Sequence, residues 1–81
     1  MFTLYILYSK SIDIYYVGYT NNIDRRLSEH NRKKGKFTDK GIPWELVYSE
    51  NFENKKQAME REKLIKNKKS RSFIIEIIRS R

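Results

Sequence analysis

A glutamate on the apolar side of a predicted helix is the first side chain whose position suggests chemistry. When residues 54–68 are placed on a helical wheel, Glu62 falls inside the apolar arc formed by Ile65, Ala58 and Met59. A carboxylate that faces a core costs several kcal/mol unless it is paired with a cation or coordinates a metal ion. Glu62 is therefore predicted either to form an ion pair, with Arg26 as the obvious partner, or to anchor Mg²⁺, which takes its other ligands from water and substrate oxygens.

Two tyrosines on adjoining predicted strands could share a site with this carboxylate. Residues 3–8 and 14–19 are apolar and aromatic, and the short link between them favours an antiparallel hairpin. If the turn is centred on Lys10-Ser11, Tyr5 lies directly opposite Tyr16, and opposed residues project from the same face with Cβ atoms about 5 Å apart. The two tyrosines are therefore predicted to form one site, although tyrosines in strands usually serve as core fillers.

A cation and a titratable side chain share one side of the first predicted helix. Ile23 and Leu27 recur at helical spacing, and Arg26 and His30, four residues apart, flank that apolar stripe. His30 is the single histidine of the sequence, and histidine is the side chain whose unperturbed pKa is near neutrality. A lone histidine on a helix flank is usually structural, so only its neighbours suggest a further role.

The segments around these residues predict the elements that must position them. Asn21 or Asn22 is the expected N-cap of the first helix, and Gly35 is its expected stop. A loop that contains Gly41 and Pro43 then leads into the third strand.

The second half of the chain adds one strand and two further elements. The third strand is predicted at residues 44–48. Residues 54–57 have the form of a capping box, with Asn in place of Ser or Thr, and open a helix that runs to about Lys68. Ser70 or Ser72 is expected to cap a last helix, although that segment is apolar enough to be a strand.

The order of these elements is β-β-α-β-α-α, which predicts a small α/β (α+β) fold. A three-stranded antiparallel sheet needs flanking helices to cover its apolar faces. A chain of 81 residues is too short to divide into two stable cores, so residues 1–81 are expected to form a single domain.

The positive charge is concentrated in two segments. The net charge is +8; residues 25–41 contain seven bases and two acids, and residues 63–81 contain seven bases and one acid. These segments could simply be solvated helix faces, but the functional interpretation is a surface for the phosphate backbone of nucleic acid. The residues predicted to contact nucleic acid are Arg25, Lys33, Lys34, Lys36, Lys66 and Lys69.

Several classes of protein are disfavoured by what the sequence lacks. There is no cysteine for a disulfide or a thiolate metal site, and one histidine cannot build a histidine zinc site alone. No apolar run approaches the roughly 20 residues of a membrane span. The apolar segment at the start of the sequence is too short and too interrupted for a signal peptide. A soluble, cytoplasmic protein with no membrane partner is expected.

Taken together, these residues resemble the GIY-YIG nuclease family. Thr3-Leu4-Tyr5 corresponds to its first motif, and Tyr16-Val17-Gly18 to its second. The family's arginine lies ten residues past the second tyrosine, at Arg26, and a residue that is often histidine follows at His30. The metal-binding glutamate of the family matches Glu62, in an Arg-Glu pair followed by Ile-Lys.

The resemblance is to the small stand-alone branch of the family, which is similar to the N-terminal catalytic domain of the bacterial excision-repair incision subunit. Thr3-Leu4 stands where the family has Gly-Ile, and only the tyrosine of that motif is expected to act chemically. The last predicted helix lacks an asparagine and a following segment that some members carry near the metal.

What the resemblance implies is hydrolysis of phosphodiester bonds by an activated water, with DNA favoured over RNA and a role in DNA repair. Glu62 would hold Mg²⁺ or Mn²⁺, and Arg26 would neutralise the charge that develops on the phosphate. Tyr5, Tyr16 or His30 would take the proton of the water, a tyrosine only if nearby cations favour its phenolate. A protein partner could supply specificity. The alternatives are a non-catalytic DNA- or RNA-binding module and a domain that binds an acidic protein.

Overall fold

Three antiparallel strands and three α-helices make up the fold, in the predicted order. The computed structural model describes residues 1–80, so Arg81, the last residue of the predicted domain, lies outside the described residues. The elements are β1 (Phe2–Ser9), β2 (Ile14–Thr20), α1 (Ile23–His30), β3 (Trp44–Phe52), α2 (Lys55–Lys68) and α3 (Arg71–Arg79), with a short 3₁₀ helix at Phe37–Gly41 before β3. The α+β class is confirmed. No helix within residues 1–80 is long and apolar enough to cross a membrane.

The first strand lies in the middle of the sheet, whose strand order is β2-β1-β3. Successive side chains of a strand point to opposite faces. Leu4 and Ile6 therefore enter the core on one face, and Tyr5 and Leu7 enter it on the other, and all four are buried. Burial on both faces explains why β1 reads as a continuous apolar run rather than as an alternating one.

The two faces of the sheet are covered by different helices. Leu4, Ile6 and Val17 pack against Ile65 of α2 and Ile77 of α3. Helix α1 covers the opposite face, where its apolar residues pack on the cluster of Tyr5, Leu7 and Trp44. Tyr16, on the edge strand β2, lines one cavity with residues of α1 and another with residues of α2.

The hairpin register differs from the predicted one by two residues. Tyr5 is paired with Gly18, and Tyr16 is paired with Leu7, so the prediction that Tyr5 lies opposite Tyr16 is wrong. The turn occupies four residues and places Asp13 at a left-handed φ of 53°. A shift of one residue would reverse the faces, but a shift of two preserves them, so both tyrosines still project from one face.

The helix caps agree with the sequence except at the end of α1. Asn22 accepts a hydrogen bond from the backbone N–H of Arg25, and Asn54 and Ser70 cap α2 and α3 in the same way. The predicted stop of α1 at Gly35 is wrong, because the helix ends at His30. Asn31 leaves the helix there and bonds to the backbone of β3. The last apolar segment is a helix and not a strand.

Candidate active site

Four aromatic side chains, one from each of β1, β2, α1 and β3, meet on the face of the sheet that α1 covers. The rings of Tyr5 and Tyr16 are stacked at 6.5 Å between centroids, with 11° between their planes. The imidazole of His30 lies edge-on to both, 4.6 Å from the Tyr16 centroid and 6.3 Å from the Tyr5 centroid. Trp44, at the start of β3, lies 6.2 Å from both Tyr16 and His30. Three of the predicted site residues are therefore neighbours.

The Tyr5 side chain lies across Gly18, its partner on β2. A Cβ atom at Gly18 would lie 2.5 Å from the Tyr5 hydroxyl and 2.7 Å from the ring carbon that bears it. The glycine of the second motif therefore makes room for the tyrosine of the first. The Tyr5 hydroxyl has no protein hydrogen bond within residues 1–80, and no buried side-chain oxygen or nitrogen there lacks a partner, so this hydroxyl opens to solvent.

The Tyr5 phenol is protonated at neutral pH in this protein. Burial, followed by the neighbouring Tyr16, raises its pKa to about 12, and the positive charge of Arg26 opposes that rise without cancelling it. The charge of Glu62 also raises the Tyr5 pKa, so the hydroxyl lies within electrostatic reach of both Arg26 and Glu62. Arg26 favours the phenolate of Tyr5, as expected, but its charge alone does not outweigh burial.

The imidazole of His30 is held in one tautomer. Its Nδ1 lies 3.2 Å from the carbonyl oxygen of Arg26, and a carbonyl can only accept, so Nδ1 carries the hydrogen. In the neutral ring the lone pair is then on Nε2. Burial, with the positive charges of Arg26 and Lys34, lowers the His30 pKa below its usual value, and the bond to Arg26 only partly offsets this. His30 is thus a neutral side chain that can accept a proton.

Trp44 and Asn31, for which the sequence predicted no role in the site, hold this imidazole in place. The side chain of Asn31 accepts from the N–H of Trp44 at 2.6 Å and donates to its carbonyl at 3.1 Å. The indole N–H of Trp44 donates to the carbonyl of Thr38 at 3.0 Å. These bonds fix the end of α1 to the start of β3, and hence the edge of Trp44 beside His30. Thirteen residues separate Asn31 from Trp44, and no local pattern predicts that pairing.

Arg26 lies in a cleft next to the aromatic cluster. The cleft has a volume of about 240 Å³ and is lined by Tyr16, Arg26, Glu29, His30, Lys34, Lys36 and Thr38. The guanidinium of Arg26 is 3.9 Å from the carboxylate of Glu29, at the limit of an ion pair, and its side chain is partly exposed. A cation, a neutral histidine and a tyrosine therefore face one cavity, together with two of the predicted nucleic-acid contacts.

The basic loop beside this cleft is folded around Asp39. Its carboxylate accepts hydrogen bonds from three consecutive backbone N–H groups, those of Lys34, Gly35 and Lys36, at 2.6 to 3.2 Å. These bonds, first of all the one from Lys34, hold the pKa of Asp39 below its usual range. Gly35 adopts a φ of 72° within this loop. Asp39 thereby fixes the backbone from which Lys34 and Lys36 reach the cleft.

The carboxylate of Glu62 lies on α2, which packs on the face of the sheet opposite to α1. Its side chain is 19% exposed, between the buried Ala58 and Ile65. Its ion-pair partner is Lys66, one helical turn away at 3.3 Å. Within residues 1–80 no ion pair joins Glu62 to Arg26, so the structural pairing weighed from the sequence is not present.

These surroundings are compatible with a single-carboxylate Mg²⁺ site. No group of three or more acidic, histidine or cysteine side chains is assembled as a cage within residues 1–80. A hard cation such as Mg²⁺ does not require one, because it keeps several waters and takes oxygens from a phosphate substrate. Glu62 offers a hard, mostly buried oxygen donor, and within residues 1–80 its ion-pair partner is the exposed, flexible Lys66.

Four of the predicted phosphate contacts are divided between the two cavities that Tyr16 lines. Lys34 and Lys36 line the cleft, and Lys66 and Lys69 lie on the other side of Tyr16, at the end of α2. Arg25, on α1, and Lys33, in the loop, are exposed. The fold therefore does not bring all six into a single patch.

Comparison with known proteins agrees with this arrangement. The family model for the GIY-YIG catalytic domain matches residues 1–74. The chain belongs to the GIY-YIG family. The matched range includes the stacked tyrosines of β1 and β2, and the family relates the chain to nucleases that act on nucleic acid and generally depend on a divalent metal.

Relatives of this GIY-YIG chain are known mainly by a family label. It is similar to a UPF0213 protein of Streptococcus pneumoniae serotype 4, with 46% identity over 56 residues that cover 68% of the chain and 57% of that protein. A UPF0213 protein of Natronomonas pharaonis is 47% identical over 53 residues, which cover 64% of the chain and 62% of that protein. The matched region thus spans less than two thirds of either relative.

A solved structure has the same fold. The solution NMR structure of a UPF0213 protein of Bacillus halodurans superposes with a TM-score of 0.64 at 28% sequence identity. The alignment covers the whole of this chain and 86% of that protein. The GIY-YIG fold is therefore shared along the full length of the chain.

Proposed function

We propose that this GIY-YIG chain is a metal-dependent endonuclease that hydrolyses phosphodiester bonds in nucleic acid, with DNA as the favoured substrate. The observation that carries the proposal is that Tyr16, Arg26 and His30 line one cleft, with the ring of Tyr5 stacked on that of Tyr16. Glu62 is within electrostatic reach of the same Tyr5 hydroxyl. A pure binding surface has no need of a mostly buried carboxylate at this position.

Glu62 is proposed to hold Mg²⁺ or Mn²⁺. When bound, the ion supplies Lewis-acid polarisation of the phosphoryl oxygen and stabilises the leaving oxygen. The neighbouring Lys66 can move aside on its flexible stem, since its side chain is 53% exposed.

Arg26 is proposed to stabilise the negative charge that develops on the phosphate. A guanidinium presents a planar set of donors to phosphate oxygens, and its charge persists at any working pH. The loop lysines add positive potential at the same cleft, because Asp39 holds their backbone in place. This arrangement is preorganised, so little reorganisation is needed as charge develops.

His30 is proposed to take the proton of the attacking water. The oxygen of that water forms the new bond to phosphorus, the bond to the leaving sugar oxygen breaks, and the water proton passes to Nε2 of His30. The leaving oxygen takes a proton from solvent. His30 suits this role because it is neutral and its Nδ1–H is anchored on the carbonyl of Arg26. Tyr5 stays protonated and donates a hydrogen bond, and the hydroxyl of Tyr16 orients the water.

A cleavage assay on a mixed panel of substrates tests this function. Duplexes, flaps, single strands and RNAs should be incubated with Mg²⁺, with Mn²⁺ and with a chelator, and products resolved by length. Internal cleavage that requires the metal and is lost in Arg26→Ala is expected. Tight binding with no cleavage of any substrate under either metal would overturn the proposed nuclease activity and favour a non-catalytic nucleic-acid-binding module.

A further inference from the structure

A second cavity lies on the other side of Tyr16 from the catalytic cleft. It has a volume of about 410 Å³ and runs between the hairpin end of β2 and the junction of α2 and α3. Its walls are largely apolar and are formed by Val17, Ile65 and Ile74. Ile14 stands at its rim with 38% of its surface exposed. These residues line a groove that opens beside the site where the phosphate would be cut.

The rim of the groove carries positive charge. Lys66 and Lys69 line it at the C-terminal end of α2, and Lys69 ends that helix with a left-handed φ of 48°. Arg71 closes one end, held by Asp13 at 2.6 Å, with its guanidinium 5.0 Å from the centre of the Tyr15 ring. The groove therefore combines an apolar interior and aromatic side chains with exposed cations.

We infer that this groove binds an unpaired nucleobase adjacent to the phosphate that is cut, an inference that rests on the proposed nuclease function. A base has flat apolar faces that suit the interior, and its flanking phosphates suit Lys66 and Lys69. Tyr16 lines both the groove and the cleft, so one chain of nucleotides can pass from one to the other.

The occupant must be unstacked from its neighbours to enter. Bases inside a duplex are stacked and paired, and a protein side chain can surround one only after it leaves the stack. The groove thus selects single strands, loops or flaps over continuous duplex. Lys66 and Arg71 at the rim are paired with Glu62 and Asp13, whereas Lys69 has no ion-pair partner within residues 1–80. An apolar peptide is a poorer match, because it would supply no anion for Lys69.

The groove can be tested by binding without metal, which separates it from catalysis. The ¹⁵N-labelled full chain should be titrated with oligothymidylate and with a duplex of equal length, and amide shifts followed by NMR. Shifts at Ile14, Val17 and Ile74 are expected with the single strand and not with the duplex. Groove binding by a protein that cuts nothing would sink the proposed enzyme and leave this inference standing.

Two variants with matched controls give the decisive comparison. Ile14→Glu places a charge at the rim outside the core clusters, and should weaken oligothymidylate binding about tenfold or more, the effect of losing one stacked base. Leu64→Glu is the control, since Leu64 is 46% exposed on the outer face of α2. Lys69→Gly removes a cation while suiting the left-handed backbone, so the helix end is preserved, and Lys63→Ala is its control.

Both groove variants should reduce single-strand binding and leave duplex binding within about twofold, whereas both controls should match the parent protein. Wild-type affinity of Ile14→Glu for the single strand, in a protein whose amide spectrum shows it folded, would overturn the inference. Amide shifts confined to Arg26 and His30 would do the same.

Discussion

Replacing Glu62 with glutamine should remove metal binding and leave the fold almost unchanged. The substitution keeps the shape of the side chain, and the ion-pair partner of Glu62 within residues 1–80 is Lys66, whose side chain is 53% exposed. Pairs of this kind at i,i+4 contribute about 0.3–0.5 kcal/mol. The free energy of unfolding of the metal-free protein should therefore fall by less than about 1 kcal/mol, a shift in Tm of less than about 8 °C for a domain of this size.

The metal should reveal the difference between the two proteins. A ligand present at about 100 times its Kd stabilises the protein that binds it by about 2.7 kcal/mol. Thermal unfolding followed by circular dichroism, with and without Mg²⁺, should show this gain for the parent chain and not for Glu62→Gln. Cleavage should fall by orders of magnitude, while binding to nucleic acid without metal should hold or rise slightly. Glu60→Gln, on the exposed side of the same helix, is the matched control.

Two results would refute this reasoning. Loss of about 3–5 kcal/mol of stability in the metal-free variant would show that Glu62 is a buried structural charge and not a metal ligand. Full cleavage by a folded Glu62→Gln protein, or an undiminished gain in Tm with Mg²⁺, would remove Glu62 from the mechanism.

Four further changes probe the rest of the site. Gly18→Ala should push the Tyr5 ring out of place, costing about 1–3 kcal/mol in urea unfolding and most of the cleavage; a variant as stable and active as the parent would contradict the packing. Because burial lowers the pKa of His30, cleavage should hold as the pH falls through about 6.5 and decline only below it, and His30→Gln should lose this acid limb; a decline centred above 6.5 would count against His30 as the proton acceptor. Asp39→Asn should raise KM more than it lowers kcat, because the backbone of the basic loop loses its charged anchor; an unchanged KM would show that the loop needs no anchor. Since the pKa of Asp39 is lowered, the parent loop should lose these hydrogen bonds only as the pH falls through that lowered value. Lys34→Glu should weaken binding to all sequences alike and flatten the dependence of affinity on salt; sequence-dependent losses would argue for base contacts instead.

The sequence alone determined most of the elements and their order. The apolar run of β1, the caps at Asn54 and Ser70, and the helical spacing around Glu62 are local patterns, and each was confirmed. Local spacing also placed Arg26 and His30 on one side of α1, because residues four apart on a helix are neighbours. The tyrosines shared a face even in the wrong register, since a strand repeats every two residues.

Only the tertiary structure decided how these residues meet. The two-residue shift in the hairpin depends on turn contacts that join Asp13 to Tyr8 and, across the chain, to Arg71. The early end of α1 depends on Asn31 and on a strand that begins thirteen residues later at Trp44. Such pairings arise from packing between segments distant in sequence, and local propensity does not predict them. For the same reason the groove beside Tyr16 became visible only when β2, α2 and α3 were brought together in space.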